Sequence, residues 1–256
     1  MEIRNVDYSY QQRIKTLSDI SMTVPKGQIT TIIGPNGSGK STLLQLMSRH
    51  LTPGKGEMLL DGKNISLYST KEFARKIAVV HQQNDAPNDM TVERLIEYGR
   101  LPYKKLLQMK QKEDYDIIAW ALKCTNLEDK KDVVLNRLSG GERQRVWIAM
   151  ALAQKTNYLF LDEPTTYLDL FHQYEILELI TQLNQLNSMT IVMVLHDLNQ
   201  AIKYSDQLII MKDGAIVKHG KPAEVMNEQI IKEIYRLDVL MKSDKDAGLY
   251  IVPIGV

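Results

Sequence analysis

The chain has 256 residues, 44% of them hydrophobic, so it is long enough to bury a sizeable core. Its 32 basic and 31 acidic side chains give a net charge of +1, which argues against nucleic acid as a partner because phosphate-backbone binding favours a strongly basic surface. The one cysteine, Cys124, excludes an internal disulfide, and its apolar helical setting predicts a buried, inert thiol.

The start of the chain shows no positively charged and then apolar leader. The longest apolar runs, such as IVMVL from Ile191, are far shorter than the roughly 18 residues of a membrane span. We therefore expect a soluble protein of a reducing compartment.

Short β-rich runs alternate with helical patterns along the chain. The predicted strands cover residues 2–7, 20–24, 28–33, 57–60, 77–80, 158–161, 190–195 and 207–211. The predicted helices cover residues 114–123, 142–153, 173–186 and 198–204, besides one that begins in STLLQLM after Lys40. This alternation is typical of an α/β fold with a sheet covered on both faces.

Two segments depart from this alternation. Residues 82–138 show no convincing strand and are rich in Lys, Gln, Glu and Leu with helical spacing, which predicts a mostly helical insert. Near the end of the sheet, Asp213-Gly214 predicts a tight hairpin. A short helical tail and a last hairpin around residues 246–248 are expected to follow.

Residues 34–41 satisfy the spacing G-x-x-x-x-G-K-[ST] between a predicted strand and a predicted helix, as in a phosphate-binding loop. Its glycines let successive N–H groups face phosphate oxygens, and the helix N-terminus adds its positive dipole end. Lys40 is expected to reach the β- and γ-phosphates, and the Ser41 hydroxyl to ligate Mg²⁺. The residues expected to bind the nucleotide here are Gly34, Pro35, Asn36, Gly37, Ser38, Gly39, Lys40, Ser41 and Thr42. Because kinases, GTPases, helicases and transporters share this loop, it predicts a nucleoside triphosphate and nothing finer.

Two carboxylates follow a later apolar strand, in NYLFLDEP. Asp162 and Glu163 are expected at the C-terminal end of that strand, where ligands of α/β sheets bind. Asp162 suits the Mg²⁺ shell, and Glu163 suits polarising an attacking water.

A second phosphate-directed turn is predicted in LSGGERQRVWIAMALAQ, residues 138–154. Ser139 and Glu142 form a capping box that starts a helix. The consecutive glycines Gly140 and Gly141 also leave backbone amides open to an anion.

With these motifs in this order, the chain resembles the ATP-binding-cassette (ABC) ATPases, whose signature LSGGE stands shortly before the magnesium-binding strand. The resemblance covers nearly the whole chain. It implies a P-loop NTPase (RecA-like) core with an antiparallel β subdomain, over residues 1–81 and 139–236, and a helical ABC-specific subdomain, over residues 82–138. A short C-terminal extension, residues 237–256, would follow.

The resemblance also implies how ATP would be bound. Ser139 and Gly141 of one copy, with Gly140 and Glu142 beside them, would cap the ATP held by Lys40 of another, in a head-to-tail dimer with two nucleotides. The dimer contact would include TTYLD, ending at Asp169.

Three further positions match the family pattern. Tyr10 stands where an aromatic stacks on adenine, Gln82 where a glutamine touches Mg²⁺ and the membrane partner, and His196 where the switch histidine lies. Each has an alternative: Tyr10 as a strand aromatic, His196 as a structural histidine, and Gln83 in place of Gln82. The resulting catalytic set is Glu163, His196, Lys40 and Gln82, and the Mg²⁺ set is Ser41, Gln82 and Asp162.

Within the family, four stretches resemble the subfamily that powers bacterial uptake of iron-siderophore complexes, haem and cobalamin. These stretches are GRLPY from Gly99, RVWIAMALAQ from Arg145, DEPTTYLD, and HDLNQA from His196. The resemblance implies separate membrane permease subunits, indirectly a substrate-binding lipoprotein, and a peripheral place on the cytoplasmic face of a bacterial membrane. The match to iron-siderophore ATPases is close; ATPases for haem, cobalamin or another metal chelate, or a soluble iron-sulfur assembly ATPase, are alternatives. The five histidines show no metal-ligand spacing, so cargo rests on resemblance alone.

Overall fold

A computed structural model of the protein describes residues 1–10, 16–87, 89–104 and 111–256. The strands are β1 (Glu2–Tyr8), β2 (Leu17–Thr23), β3 (Ile29–Ile33), β4 (Lys55–Leu60), β5 (Lys63–Asn64), β6 (Ile77–Val80), β7 (Tyr158–Asp162), β8 (Thr190–Val194), β9 (Gln207–Lys212), β10 (Ala215–Gly220), β11 (Asp238–Asp244) and β12 (Gly248–Gly255). The helices are α1 (Lys40–Met47), α2 (Thr70–Ala74), α3 (Val92–Glu97), α4 (Lys112–Cys124), α5 (Gly140–Ala153), α6 (Leu170–Asn187), α7 (Leu198–Tyr204), α8 (Pro222–Val225) and α9 (Glu228–Tyr235). The chain divides into two compact units, residues 1–67 with 190–256, and residues 68–189.

The first unit contains an antiparallel sheet in the order β2-β1-β4-β5 and a run of strands in the order β10-β9-β3-β8. β3 is parallel to both β8 and β9, and all five of its side chains are buried. All five residues of ITTII are β-branched, and β-branched residues favour strands, so the sequence predicts this one.

The predicted hairpin joins β9 to β10, which pair in antiparallel fashion. Its turn residues Asp213 and Gly214 have φ values of 49° and 78°, as a two-residue hairpin turn of this kind requires. A Cβ on Gly214 would lie 2.4 Å from the carbonyl oxygen of Thr16, so only glycine fits there. A second hairpin, β11 and β12, closes the chain where the sequence predicted one.

The second unit contains the parallel pair β6 and β7. Between residues 82 and 138 the described residues form helices, 3₁₀ turns and a bridge from Thr91 to Val134, which confirms a mostly helical secondary structure for this segment. Residues 88 and 105–110 of that segment lie outside the described residues.

The GRLPY stretch forms a 3₁₀ turn, Tyr98–Tyr103, packed against the end of α5. A Cβ on Gly99 would lie 2.1 Å from the carbonyl oxygen of Met150, so the close approach requires glycine. Arg100, 4% exposed, donates to Asp114 Oδ1 at 2.8 Å and to the carbonyl of Ala153 at 2.9 Å. Packing and hydrogen bonding within this unit therefore explain why glycine and arginine stand at positions 99 and 100.

The predicted strands and helices are confirmed, and the differences lie at their ends. β2 begins at Leu17 rather than at the predicted residue 20. The earlier start is not evident from the sequence, because Ser18 and Asp19 interrupt the apolar pattern and Asp19 takes a positive φ of 50°. Cys124 is half-buried rather than buried, and burial raises the pKa of its thiol. The α/β, P-loop NTPase class is confirmed, whereas the division at residues 82, 138 and 236 stays a prediction.

Candidate nucleotide-binding site

The phosphate loop links β3 to α1. Lys40 is the first helical residue of α1, and its cap Gly39 has a left-handed φ of 98°. The Lys40 side chain is 6% exposed, and its ammonium donates to the carbonyls of Gly34 and Pro35 at 2.9 and 3.1 Å. The predicted strand, loop and helix are thus arranged as the motif requires.

The loop is tightly packed from one side. A Cβ on Gly34 would lie 2.2 Å from the carbonyl oxygen of Met211, and one on Gly39 would lie 2.5 Å from a methyl group of Leu17. Gly37, with a φ of 79°, has no atom within 4 Å of such a Cβ. The turn of the β9–β10 hairpin supports the loop, because Gly214 N–H donates to the Ser38 carbonyl at 3.2 Å.

Tyr10 lies beside the first turns of α1. Its hydroxyl is 3.3 Å from Thr42 Oγ1 and 3.4 Å from Gln45 Oε1, and its ring makes an edge-to-face contact with Tyr8. The side chain is 58% exposed. An exposed aromatic ring held near the predicted phosphate loop is available for stacking.

The acidic pair lies at the end of β7. Asp162 is the last residue of the strand and 7% exposed. Glu163 follows it with a left-handed φ of 51°, a conformation that costs a non-glycine residue roughly 1–2 kcal/mol. Its Oε2 atom accepts hydrogen bonds from Gln82 Nε2 at 2.6 Å and Thr166 Oγ1 at 3.1 Å. The strained backbone and the two donors fix one orientation for this carboxylate.

The LSGGE stretch starts α5. Ser139 caps the helix: its side chain accepts from Glu142 N–H at 3.3 Å, and its own N–H donates to Glu142 Oε2 at 2.9 Å, which confirms the capping box. Lys130 pairs with Glu142 from outside the motif. This ion pair, followed by the Ser139 backbone N–H, lowers the pKa of Glu142.

His172 on α6 lies against Gly141. A Cβ on Gly141 would be 2.5 Å from His172 Cδ2. The ring nitrogen Nδ1 lies 2.7 Å from Asp169 Oδ1, and Asp169 also caps α6 by accepting from His172 N–H at 3.0 Å. His172 is not among the site residues predicted from the sequence, although its spacing of three from an N-cap aspartate signals a local contact.

Several predicted residues share one cavity. A cavity of about 570 Å³ in the second unit is lined by Gln82, Gln83, Gly140, Trp147, Thr166 and Tyr167, among others. Gln82 and Gln83 are both exposed, but it is Gln82 whose amide contacts Glu163. The glutamine segment, the glycine turn and the TTYLD segment are therefore brought together within this unit.

His196 follows β8 and is exposed. The next residue, Asp197, caps α7 by accepting from Gln200 N–H at 2.8 Å. The histidine is therefore presented on the short link between a buried strand and a capped helix.

The residues of the phosphate loop fit a nucleotide. Ser38 Oγ is buried and, within the described part of the chain, has no hydrogen-bond partner, which makes it an acceptor or donor for a bound group. Gly34 and Gly39 have no room for a side chain, and Gly37 has a left-handed φ that favours glycine, so the backbone can take the curled form in which N–H groups face phosphates. For Mg²⁺ the predicted donors are a hydroxyl, an amide oxygen and a carboxylate, which are the oxygen ligands that this ion prefers.

Together, a phosphate loop after a buried strand and an acidic pair after a second one define a P-loop nucleoside triphosphatase. The family profile described as ABC transporter matches residues 17–166, and the chain belongs to the ABC transporter family. It is an ABC ATPase.

Two curated relatives align over most of both chains. The chain is 45% identical to the petrobactin import ATP-binding protein FpuC of Bacillus anthracis over 93% of its own length and 88% of that protein. It is 46% identical to the iron(3+)-hydroxamate import ATP-binding protein FhuC of Bacillus subtilis over 89% of its length and 85% of that protein.

Two solved structures share the fold. One is an inward-facing metal-chelate type ABC transporter, with a TM-score of 0.85 and 26% identity over 99% of this chain and 96% of the other. A dimeric ATP-binding cassette in a post-hydrolysis state bound to ADP and phosphate has a TM-score of 0.73 and 31% identity, over 86% and 98%. Of the helices described, none is both long and apolar enough to cross a bilayer.

Proposed function

We propose that the chain is the ATP-hydrolysing subunit of a bacterial ABC importer for iron(III)-siderophore complexes. One observation carries this proposal: near full-length identity of about 45% to two import ATP-binding proteins, named for petrobactin and for iron(3+)-hydroxamate. Residues 82–138 would be the helical subdomain that contacts separate membrane permease subunits, with the chain peripheral on the cytoplasmic face of the membrane. A substrate-binding lipoprotein would deliver the chelate to the permease.

We infer that ATP is clasped between two copies of the chain. The dimeric cassette bound to ADP and phosphate supports this arrangement by its similarity over 86% of the chain. Lys40 and the phosphate loop of one copy hold the phosphates, and the Ser139–Glu142 turn of the other copy closes over them. The capping box supports this role because it leaves the Gly140 and Gly141 amides at the open end of α5.

Within the site, each side chain has one proposed task. Glu163 polarises the attacking water, and the Gln82 amide holds its carboxylate in place. Because Gln82 uses its nitrogen for Glu163, its oxygen is the atom offered to Mg²⁺, together with Ser41 and Asp162. Bound Mg²⁺ would offset negative charge on the phosphate oxygens. His196 contacts the phosphate end of the site, and Tyr10 stacks on adenine.

Growth of a deletion strain on a panel of iron sources, read against uptake of labelled chelates, tests the cargo. The proposal predicts loss of growth and uptake for one ferric siderophore class, restored by the wild-type gene and not by a Lys40→Ala variant. A loss of uptake confined to haem or to cobalamin would show that this chelate, and not a ferric siderophore, is the cargo. Normal uptake of every chelate, with impaired iron-sulfur enzymes, would indicate a soluble assembly ATPase instead.

A further inference from the structure

The last strand of the chain is joined to the helix that follows His196. Asn199 on α7 donates from Nδ2 to the Ile251 carbonyl at 3.2 Å and accepts from the Ile251 N–H at 2.7 Å with Oδ1. One side-chain amide thus satisfies both backbone groups of one residue in β12, as a neighbouring strand would. Because two hydrogen bonds join the same pair of residues, the contact fixes both the position and the orientation of β12 relative to α7.

Among the described residues, the hairpin β11–β12 packs against α9 through β11 and against α7 through β12. Most of its side chains are exposed, while Val239 and Ile251 are buried, at 5% and 4% exposure. Two polar contacts tie β11 to α9: Met241 N–H donates to Glu228 Oε1 at 2.9 Å, and Lys232 pairs with Asp238 at 2.7 Å. The hairpin is therefore anchored on α9 at one side and on α7 at the other.

α7 has only seven residues, so its position depends on what it packs against rather than on intrinsic helix stability. It starts two residues after His196, and its cap Asp197 is the direct neighbour of that histidine. A shift of α7 therefore carries His196 with it. Displacements of about 1 Å at a catalytic group can lower turnover by roughly 100-fold.

The helix that carries the hairpin also reaches the phosphate loop. The Tyr235 phenol at the end of α9 lies close to the Gly34 backbone, and burial raises the pKa of this phenol. The hairpin β11–β12 is thus linked to the phosphate loop through α9, on which it packs. It is linked to His196 through the contact between β12 and α7.

We propose that the C-terminal hairpin is a positioning element for ATP hydrolysis that holds His196 through the Asn199–Ile251 contact. The inference rests on the proposed role of His196 in turnover. It assigns residues 237–256 a task in the catalytic cycle, with Asn199 as a positioning residue that does not touch the nucleotide.

The test measures kcat, KM, equilibrium ATP affinity and melting temperature for two variants of one side chain. Asn199→Leu keeps the size of the side chain and removes both hydrogen bonds, whereas Asn199→Asp keeps an acceptor for the Ile251 N–H. We expect kcat to fall by about fivefold or more for the first and less for the second, with KM and ATP affinity within about twofold. Asn187→Leu, which removes an amide of the same size at the end of α6, is the matched control and should keep its kcat.

His196→Ala, alone and combined with Asn199→Leu, separates this inference from the proposed function. If Asn199 acts through His196, the double variant is no slower than His196→Ala alone. Unchanged kcat in Asn199→Leu, alongside lost turnover in His196→Ala, would overturn the inference and leave the proposed function standing. Full turnover in His196→Ala would overturn both assignments. A parallel loss of kcat, ATP affinity and melting temperature in both Asn199 variants would show a role in folding only and would also overturn it.

Discussion

The Gln82 amide nitrogen lies 2.6 Å from the Glu163 carboxylate, so the segment that begins the helical insert contacts the residue that follows Asp162. A hydrogen bond to an ionised acceptor is short and about twice as strong as a neutral one. Any movement of the insert that displaces Gln82 would remove one of the hydrogen bonds that orient the carboxylate. In the proposed importer, this contact links the permease-facing segment to the water-polarising residue.

Replacing Glu163 with Gln should leave ATP binding intact and lower turnover by at least about 100-fold, because the water loses its polarising carboxylate. ATP should then trap a dimer detectable by gel filtration. Glu178→Gln, a matched change on α6, is the control and should turn over normally. Normal hydrolysis by the Glu163 variant would remove this residue from the catalytic set.

Replacing Gln82 with Ala should have a smaller effect than the change at Glu163, because the carboxylate survives but loses one of its two observed donors. We expect kcat to fall by about tenfold with ATP affinity unchanged. Gln83→Ala is the control, since its neighbour supplies the contact. A larger loss in the Gln83 variant than in the Gln82 variant would reverse the assignment.

Replacing Lys40 with Ala should weaken ATP binding by at least about tenfold, since a buried ammonium next to the loop carbonyls is lost. Equilibrium binding of a labelled nucleotide measures this directly. Lys218→Ala, on the exposed face of β10, should bind as the wild type does. Equal affinity in both variants would contradict the loop assignment.

Replacing Gly141 with Ala should lower hydrolysis by about tenfold or more, because the new methyl group would meet the His172 ring at 2.5 Å and displace the start of α5. His172→Ala in the same chain should restore part of the activity by making room. Gly255→Ala, where no atom lies within 4 Å of the new group, is the control. A Gly141 variant with wild-type kinetics would show that the glycine turn tolerates displacement.

The buried pair Arg100 and Asp114 predicts a pH-dependent stability. Burial alone would raise the pKa of Asp114, but Arg100 and the Gln111 N–H lower it below its ordinary value of 3.8. This contribution is present above about pH 4 and is lost as the pH falls through the lowered pKa. Asp114→Asn should therefore flatten the fall in melting temperature below pH 4, whereas the exposed Asp116→Asn should not.

Removing the carboxylate entirely tests the same pair at neutral pH. Asp114→Ala should lower the free energy of unfolding by about 3–5 kcal/mol, because it leaves the Arg100 guanidinium buried without its partner. Urea unfolding measures the difference. A loss no larger than that of Asp116→Ala would mean that the ion pair adds nothing to stability.

The fold and the phosphate loop could be predicted because both depend on residue types at short spacings along the chain. Gly34, Gly39 and Lys40 stand at fixed spacing, and β3 consists of β-branched residues whose side chains are all buried. The start of β2 could not be predicted, because Asp19 adopts a positive φ there, and aspartate tolerates this conformation without signalling it in the sequence. Lys130 and His172 were missed because their contacts with Glu142 and Gly141 depend on how separate helices pack. Gln82 could not be separated from Gln83 until side-chain direction was known.

The C-terminal hairpin also shows that contacts between distant parts of the chain cannot be predicted from its sequence. Its turn was visible in the sequence, but nothing in residues 237–256 indicates that Ile251 pairs with Asn199. Backbone groups of a strand carry no residue-specific signal, so a contact made by them is found only in three dimensions.

Mixing two inactive variants tests most directly whether ATP is held across two copies. Lys40→Ala and Ser139→Arg should each abolish hydrolysis alone, and a random mixture should recover about one quarter of the wild-type sites, because half of the dimers are mixed and each has one intact site. Recovery above both parents is the predicted result. A mixture no more active than either parent would contradict a site shared between subunits.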